Sequence, residues 1–113
     1  MSRISDFLLM YSTVLFTAPN LESSRRICKK LLESKLVACA NIFPIDSMYW
    51  WKGEILEEKE YAILLKARTQ DFEGIKKAIL NNHPYQISCI VRYEIAEGHT
   101  QYLEWIEEST RRS

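Results

Sequence analysis

Apolar and polar residues alternate along this chain in short runs whose period switches between two and about three and a half, the mark of strands interleaved with helices. Residues 7–17 are β-branched and aromatic with no helical period, which predicts a first strand. Asn20 then offers an N-cap, and Glu22 falls in the first turn, where a negative charge is favoured. Ile27, Cys28, Leu31 and Leu32 recur at helical spacing opposite Arg25, Arg26, Lys29, Lys30 and Glu33, so an amphipathic helix is expected over about 21–34. A second extended stretch runs over about 36–51. Pro44 within it cannot donate to a ladder and marks an edge, kink or bulge. Trp51-Lys52-Gly53-Glu54 reads as a tight connection, with Gly53 suited to positive φ. In a third strand, about 61–68, Tyr61, Ile63, Leu65 and Ala67 share one face and Ala62, Leu64, Lys66 and Arg68 the other. Phe72, Ile75 and Ile79 line a second helix over about 71–82, which His83-Pro84 ends. Over about 86–95, Ile87, Cys89, Val91, Tyr93 and Ile95 alternate with Ser88, Ile90, Arg92 and Glu94 in a fourth strand. Gly98-His99-Thr100 is a turn with Thr100 as N-cap, and Tyr102, Leu103 and Ile106 line a last helix to about residue 110.

The order βαββαβ plus a C-terminal helix is that of an α+β, ferredoxin-like sandwich, one domain over residues 1–113. Right-handed connections place both crossover helices on the same sheet face. The second face is then expected to lack a helix layer, with Ala62 and Leu64 bare on it. An apolar sheet face of that kind is usually covered by another subunit, so an oligomer is expected.

Charge narrows the partners. The chain carries 15 basic and 15 acidic residues, and the formal net charge is zero, so no basic footprint for nucleic acid follows. Arg3 ahead of the apolar residues 7–11 and 14–16 imitates a signal peptide, but Ser12 and Thr13 interrupt the run and it is too short to span a bilayer. No membrane association is expected. Cys28, Cys39 and Cys89 are odd in number and form no CxxC pair, which points to reduced thiols and a cytoplasmic location.

Several blocks then carry a family resemblance: Thr17-Ala18-Pro19, the run from Lys35 to Ile42, Tyr49-Trp50-Trp51-Lys52-Gly53-Glu54-Ile55, His83-Pro84-Tyr85 and Tyr102-Leu103-Glu104-Trp105-Ile106. In this order and spacing the chain resembles the CutA divalent-ion tolerance family over about residues 14–110. The resemblance implies a ferredoxin-like protomer assembled as a stable homotrimer. That architecture is similar to nitrogen-regulatory signalling proteins with small-ligand clefts between subunits. It also implies an association with copper and other divalent metals. The chain departs from the pattern at Phe16, where some relatives carry a copper-associated cysteine, and at Asn82, where some carry histidine. At Cys89 the family commonly has glutamate.

The residues suggest several chemistries of their own. His83 is the leading metal candidate, since neutral imidazole suits copper and zinc; capping its helix is its other reading. Cys39 suits a soft metal as thiolate, or packs as a small apolar residue. Cys89 is either buried with Ile87 and Val91 or paired with His83 in a cleft. A divalent cation such as copper is thus the one cofactor in view. Lys66, Tyr85 and Trp51 are candidates for lining a ligand pocket. Trp50 and Trp51 point to opposite faces, so packing between protomers is expected to take at least one. Lys66 and Arg68, with Arg92 near them, offer an anion site, whereas Glu54, Glu57, Glu58 and Glu60 read as a solvated hairpin face. No nucleophile elbow, phosphate loop or zinc-protease motif is present, and no enzyme is expected. The resemblance, taken with these candidates, implies ion tolerance or ligand sensing by a trimer that binds a metal or small ligand between subunits. The alternative is a structural module that tethers a partner.

Overall fold

Four strands form one antiparallel sheet in the order β2-β3-β1-β4. The computed structural model describes residues 10–83, 85 and 88–112. Within them run β1 (Tyr11–Ala18), α1 (Leu21–Glu33), β2 (Cys39–Trp51), β3 (Glu54–Arg68), a 3-10 turn (Thr69–Asp71), α2 (Phe72–Asn82), β4 (Ile90–Glu94) and α3 (Thr100–Ser109). Each crossover helix joins two parallel strands with an antiparallel one between them. This is the split βαβ unit twice over, the ferredoxin-like arrangement expected. Residues 7–9 of the predicted first strand, and 86–87 of the fourth, lie outside the described residues.

Strand alternation decides which side chains meet the helices. Val14, Phe16 and Ala18 of β1 and Ile63, Leu65 and Ala67 of β3 are fully buried against Ile27, Cys28 and Leu31 of α1 and Ile75 and Ile79 of α2. Asn20 caps α1 as predicted, its side chain accepting from the Ser23 amide at 2.7 Å. Leu32 does not join the core; it is 41% exposed, because Leu31 already fills the inward position of that last turn. On β4 the inward face is Ile90 and Arg92 and not the Val91 and Tyr93 series, which leaves Tyr93 55% exposed. At the start of α3 the N-cap position is His99, without a side-chain cap; Thr100 is the first helical residue.

The second face is not wholly without a helix. Tyr11 donates to Glu107 at 3.2 Å, and Arg68 donates to Glu107 and to the Thr110 carbonyl, so α3 lies across one end of it. Ala62 is buried, flanked across the strands by Thr17 and Phe43, whereas Leu64 is half-buried. Among the described residues no other helix covers that face.

The hairpin is longer than the pattern indicated. Pairing of β1 with β3 stops at Ala18–Tyr61, yet β2 and β3 continue together to Trp51–Glu54. Residues 45–60 therefore project as a two-stranded arm, with Pro44 tolerated because β2 is an edge strand. The molecule is 49 Å long, and its radius of gyration of 15.2 Å exceeds the ~13 Å expected for a sphere-like chain of this length. The arm turns on Lys52 and Gly53, both at positive φ (51° and 82°), the signature of a two-residue hairpin turn. Space is open around Gly53, so Gly53→Ala meets only the backbone penalty. It should cost about 1 kcal/mol in urea unfolding, and Gly53→Asn less.

Candidate functional site

Where the arm leaves the sheet, its inner face meets the segment that links α2 to β4. Proline disfavours a helical residue before it, so His83, ahead of Pro84, is extended (φ −96°, ψ 133°) and the chain turns back toward β1. The His83 Nε2 is bonded to the Thr17 carbonyl, which can only accept, so Nε2 carries the proton and Nδ1 accepts from the Ser88 hydroxyl at 2.8 Å. The ring stands edge-on to Tyr85, with centroids 4.6 Å apart, and to Phe16 at 6.2 Å. Tyr85 in turn donates to Glu60 Oε2 at 2.6 Å. One run of contacts thus ties β1, the linking segment and β3 together.

Above it lies a cleft of about 560 Å³. Trp51, Tyr49 and Ser47 of β2 and Glu58 and Glu60 of β3 line its arm side; Tyr85, Ser88 and Cys89 line the other, with Thr17 and Met48 at its margin. The arm side follows from register: across the turn at Lys52-Gly53, Trp51 pairs with Glu54, Tyr49 with Leu56, Ser47 with Glu58 and Ile45 with Glu60, all on one face. Tyr49 donates to Glu58, so each carboxylate holds a phenol on one oxygen. Burial, then the bond to Glu60 and the charges of Glu60 and Glu58, push the Tyr85 phenol well above its usual value. It therefore stays a neutral donor.

Of the residues singled out in the sequence, Trp51, Tyr85 and Cys89 line this cleft, and His83 supports it from below through Tyr85 and Ser88. Cys39 and Lys66 do not reach it. They are cross-strand partners at the other end of the open face, where Lys66 donates to Asn41 at 2.5 Å and Cys39 lies 3.7 Å from the Tyr102 hydroxyl under α3. By strand geometry Cys39 and Cys89 are four residues and three strands apart, more than about 15 Å. The anion site also dissolves: Arg68 is bonded to Asp71 and Glu107, and Arg92 lies on the helix face, bonded to Ser12. Trp50 faces away from the cleft and is 72% exposed.

A metal ion finds no ligand set here. Among the described residues no three His, Cys, Asp or Glu side chains are grouped to hold one. Both His83 nitrogens are already engaged. Cys89 is exposed and not packed away as one reading had it, yet partial desolvation beside the cleft wall, with the Glu60 charge second, raises its thiol above the ordinary value, which disfavours the thiolate that would ligate or attack. Alkylation of Cys89 by iodoacetamide should accordingly be slower at pH 8 than that of a free thiol. It should keep accelerating with pH beyond the usual thiol range; a rate already at its plateau at pH 8 would contradict this. Cys28, buried and raised to about 11, should not react in the folded protein.

Comparison with known proteins places this geometry. Residues 12–109 match the family described as CutA1 divalent ion tolerance protein. The divalent-cation tolerance protein CutA of Archaeoglobus fulgidus is 41% identical over 100 residues, covering 88% of this chain and 98% of that protein. That of Thermus thermophilus is 42% identical over 102 residues, covering 89% and 99%. The solved A. fulgidus structure superposes with a TM-score of 0.89 at 40% identity, over 90% of this chain and all of that one. The T. thermophilus structure gives 0.87 at 42% identity. These descriptions name tolerance proteins and no enzymatic activity. One of them corrects the expected location: the A. fulgidus structure is described as that of a periplasmic protein, so the cytoplasmic reading does not stand. Three unpaired cysteines are no guide to compartment, since thiols that never approach one another stay unpaired in either. Among the described residues no helix is long and apolar enough to cross a membrane.

Proposed function

This chain belongs to the CutA1 divalent ion tolerance protein family, and we propose that it serves there as a homotrimer that holds a small ligand in the cleft at the foot of its arm. The arm is the observation that supports this reading. An isolated two-stranded ribbon is marginal in water. This one carries Met48, Trp50 and Ile55 exposed on the face that continues the helix side of the sheet, while the opposite, open sheet face bears Phe43, Val91 and Tyr93. Copies of the same chain cover these surfaces, and a closed ring of three satisfies each copy alike. The cleft, set between the arm and the body of the chain, then lies where protomers meet.

Tolerance on this reading does not depend on a copper ion held by His83, Cys89 and Cys39 of one chain, because those groups do not converge. It depends on cleft occupancy. In cells deleted for their own tolerance protein and exposed to Cu(II), the wild-type chain should restore growth. The Trp51→Ala/Glu60→Gln variant should not. Equal rescue by a variant shown to be folded and assembled would contradict the role given to the cleft.

A further inference from the structure

The cleft wall has a charge and a chemistry that select among ligands. Glu58 and Glu60 give it two carboxylates, and among the described residues that line it none is basic. Each carboxylate gives one oxygen to a phenol, and the second oxygen of each has no partner among the described residues. Around them stand Trp51, Tyr49 and Tyr85, rings whose faces attract cations. A cation already uses one of these rings: the Lys52 ammonium, from the hairpin turn, stands 5.8 Å from the centre of Trp51. The volume of about 560 Å³ is that of a small-molecule pocket and far exceeds a bare ion.

An anionic ligand would face two like charges, and among the described residues no basic side chain lines the wall: Lys66 is held by Asn41 at the far end of the sheet, and Lys52 stands over the Trp51 ring. A hard divalent ion would need three or more converging oxygens, and no such group is present among the described residues. A neutral ligand would leave the carboxylates uncompensated once water is displaced. We propose that the cleft binds an organic cation with an apolar body, an aryl or alkyl ammonium, its charge against Glu58 and Glu60 and its body against Trp51, Tyr49 and Tyr85. The inference rests on the ligand-binding role of the cleft proposed above and adds the class of ligand.

Calorimetric titration of the full chain with benzyltrimethylammonium chloride tests it, with benzyl alcohol, sodium benzoate and zinc chloride as the other probes. The ammonium should bind with a Kd at or below about 1 mM. Benzyl alcohol and benzoate should bind at least about tenfold more weakly. Glu60→Gln keeps the shape and a hydrogen-bond acceptor but removes the charge, and should weaken the ammonium about tenfold while leaving benzyl alcohol unchanged. Glu58→Gln provides the same comparison should the first variant fail to assemble. Binding of the alcohol or benzoate as tight as that of the ammonium, and lost in Trp51→Leu, would overturn the cationic class while leaving the cleft a ligand site. Micromolar zinc binding abolished by Glu60→Gln would replace the organic cation by a metal. No binding of any probe to assembled protein would remove both the class and the cleft.

Discussion

Phe16→Ala should lower the unfolding free energy by about 3–5 kcal/mol, the range for deleting a large buried aromatic. Phe16 lies at the centre of β1, with no solvent exposure, between its cross-strand partners Ile63 and Ile90. Alanine there removes the transfer free energy of the ring and leaves a cavity that two sheet neighbours and two helices cannot all collapse into. The loss reaches the cleft as well, because the His83 ring stands edge-on to Phe16 and supports Tyr85 on its other side. Urea unfolding at fixed protein concentration measures the change. A shift below about 1 kcal/mol would mean that the core is not packed around this ring.

Asp71→Ala should cost about 2–4 kcal/mol, by a different mechanism. Asp71 is 8% exposed and accepts from Arg68 Nε at 3.1 Å and from Arg112 Nη2 at 2.6 Å. Arg68, itself 12% exposed at the side chain, also bonds Glu107 and the Thr110 carbonyl, and so holds α3 to the sheet. Removing the carboxylate leaves a largely buried guanidinium short of a partner, which costs more than the pair gains when intact. Arg112 would also lose the contact that secures it beside the Lys35 carbonyl. Because α3 closes one end of the open face, hydrogen exchange in residues 100–110 should quicken in this variant. Unchanged exchange there would separate Asp71 from the anchoring of α3.

Most of the fold was legible because it rests on period. Val14 and Phe16 sit in a β-branched and aromatic run with no helical period, Tyr61, Ile63, Leu65 and Ala67 recur at every second position, and the crossover rule does the rest. The fourth strand misled for a local reason: both of its faces are apolar, Ile90 on one and Val91 and Tyr93 on the other, so alternation alone does not say which is inward. Pairing decides it, since Phe16, already inward, sits opposite Ile90. Leu32 misled because a helical stripe allows two neighbouring inward positions where the packing has room for one.

The cleft was only half legible. Trp51 and Tyr85 announced themselves as aromatics. Glu58 and Glu60 were read as a solvated hairpin face, although the signal that placed them was available. Once Gly53 fixes a two-residue turn, residues whose numbers sum to 105 face one another, so Trp51 and Tyr49 share their face with Glu58 and Glu60. What no local pattern shows is that Tyr85, Ser88 and Cys89 come to stand against that face. The pairing of Cys39 with Lys66, far from Cys89, depends in the same way on strand order.

The arm and the open face beside it need company, and sedimentation velocity of the purified full chain at micromolar concentration tests that need most directly. The expected result is a single species of three 13.3 kDa chains, converted to smaller species by Trp50→Ser with Ile55→Ser. A wild-type chain sedimenting as a 13.3 kDa monomer would show that these apolar surfaces stand in water by themselves, and would contradict the account.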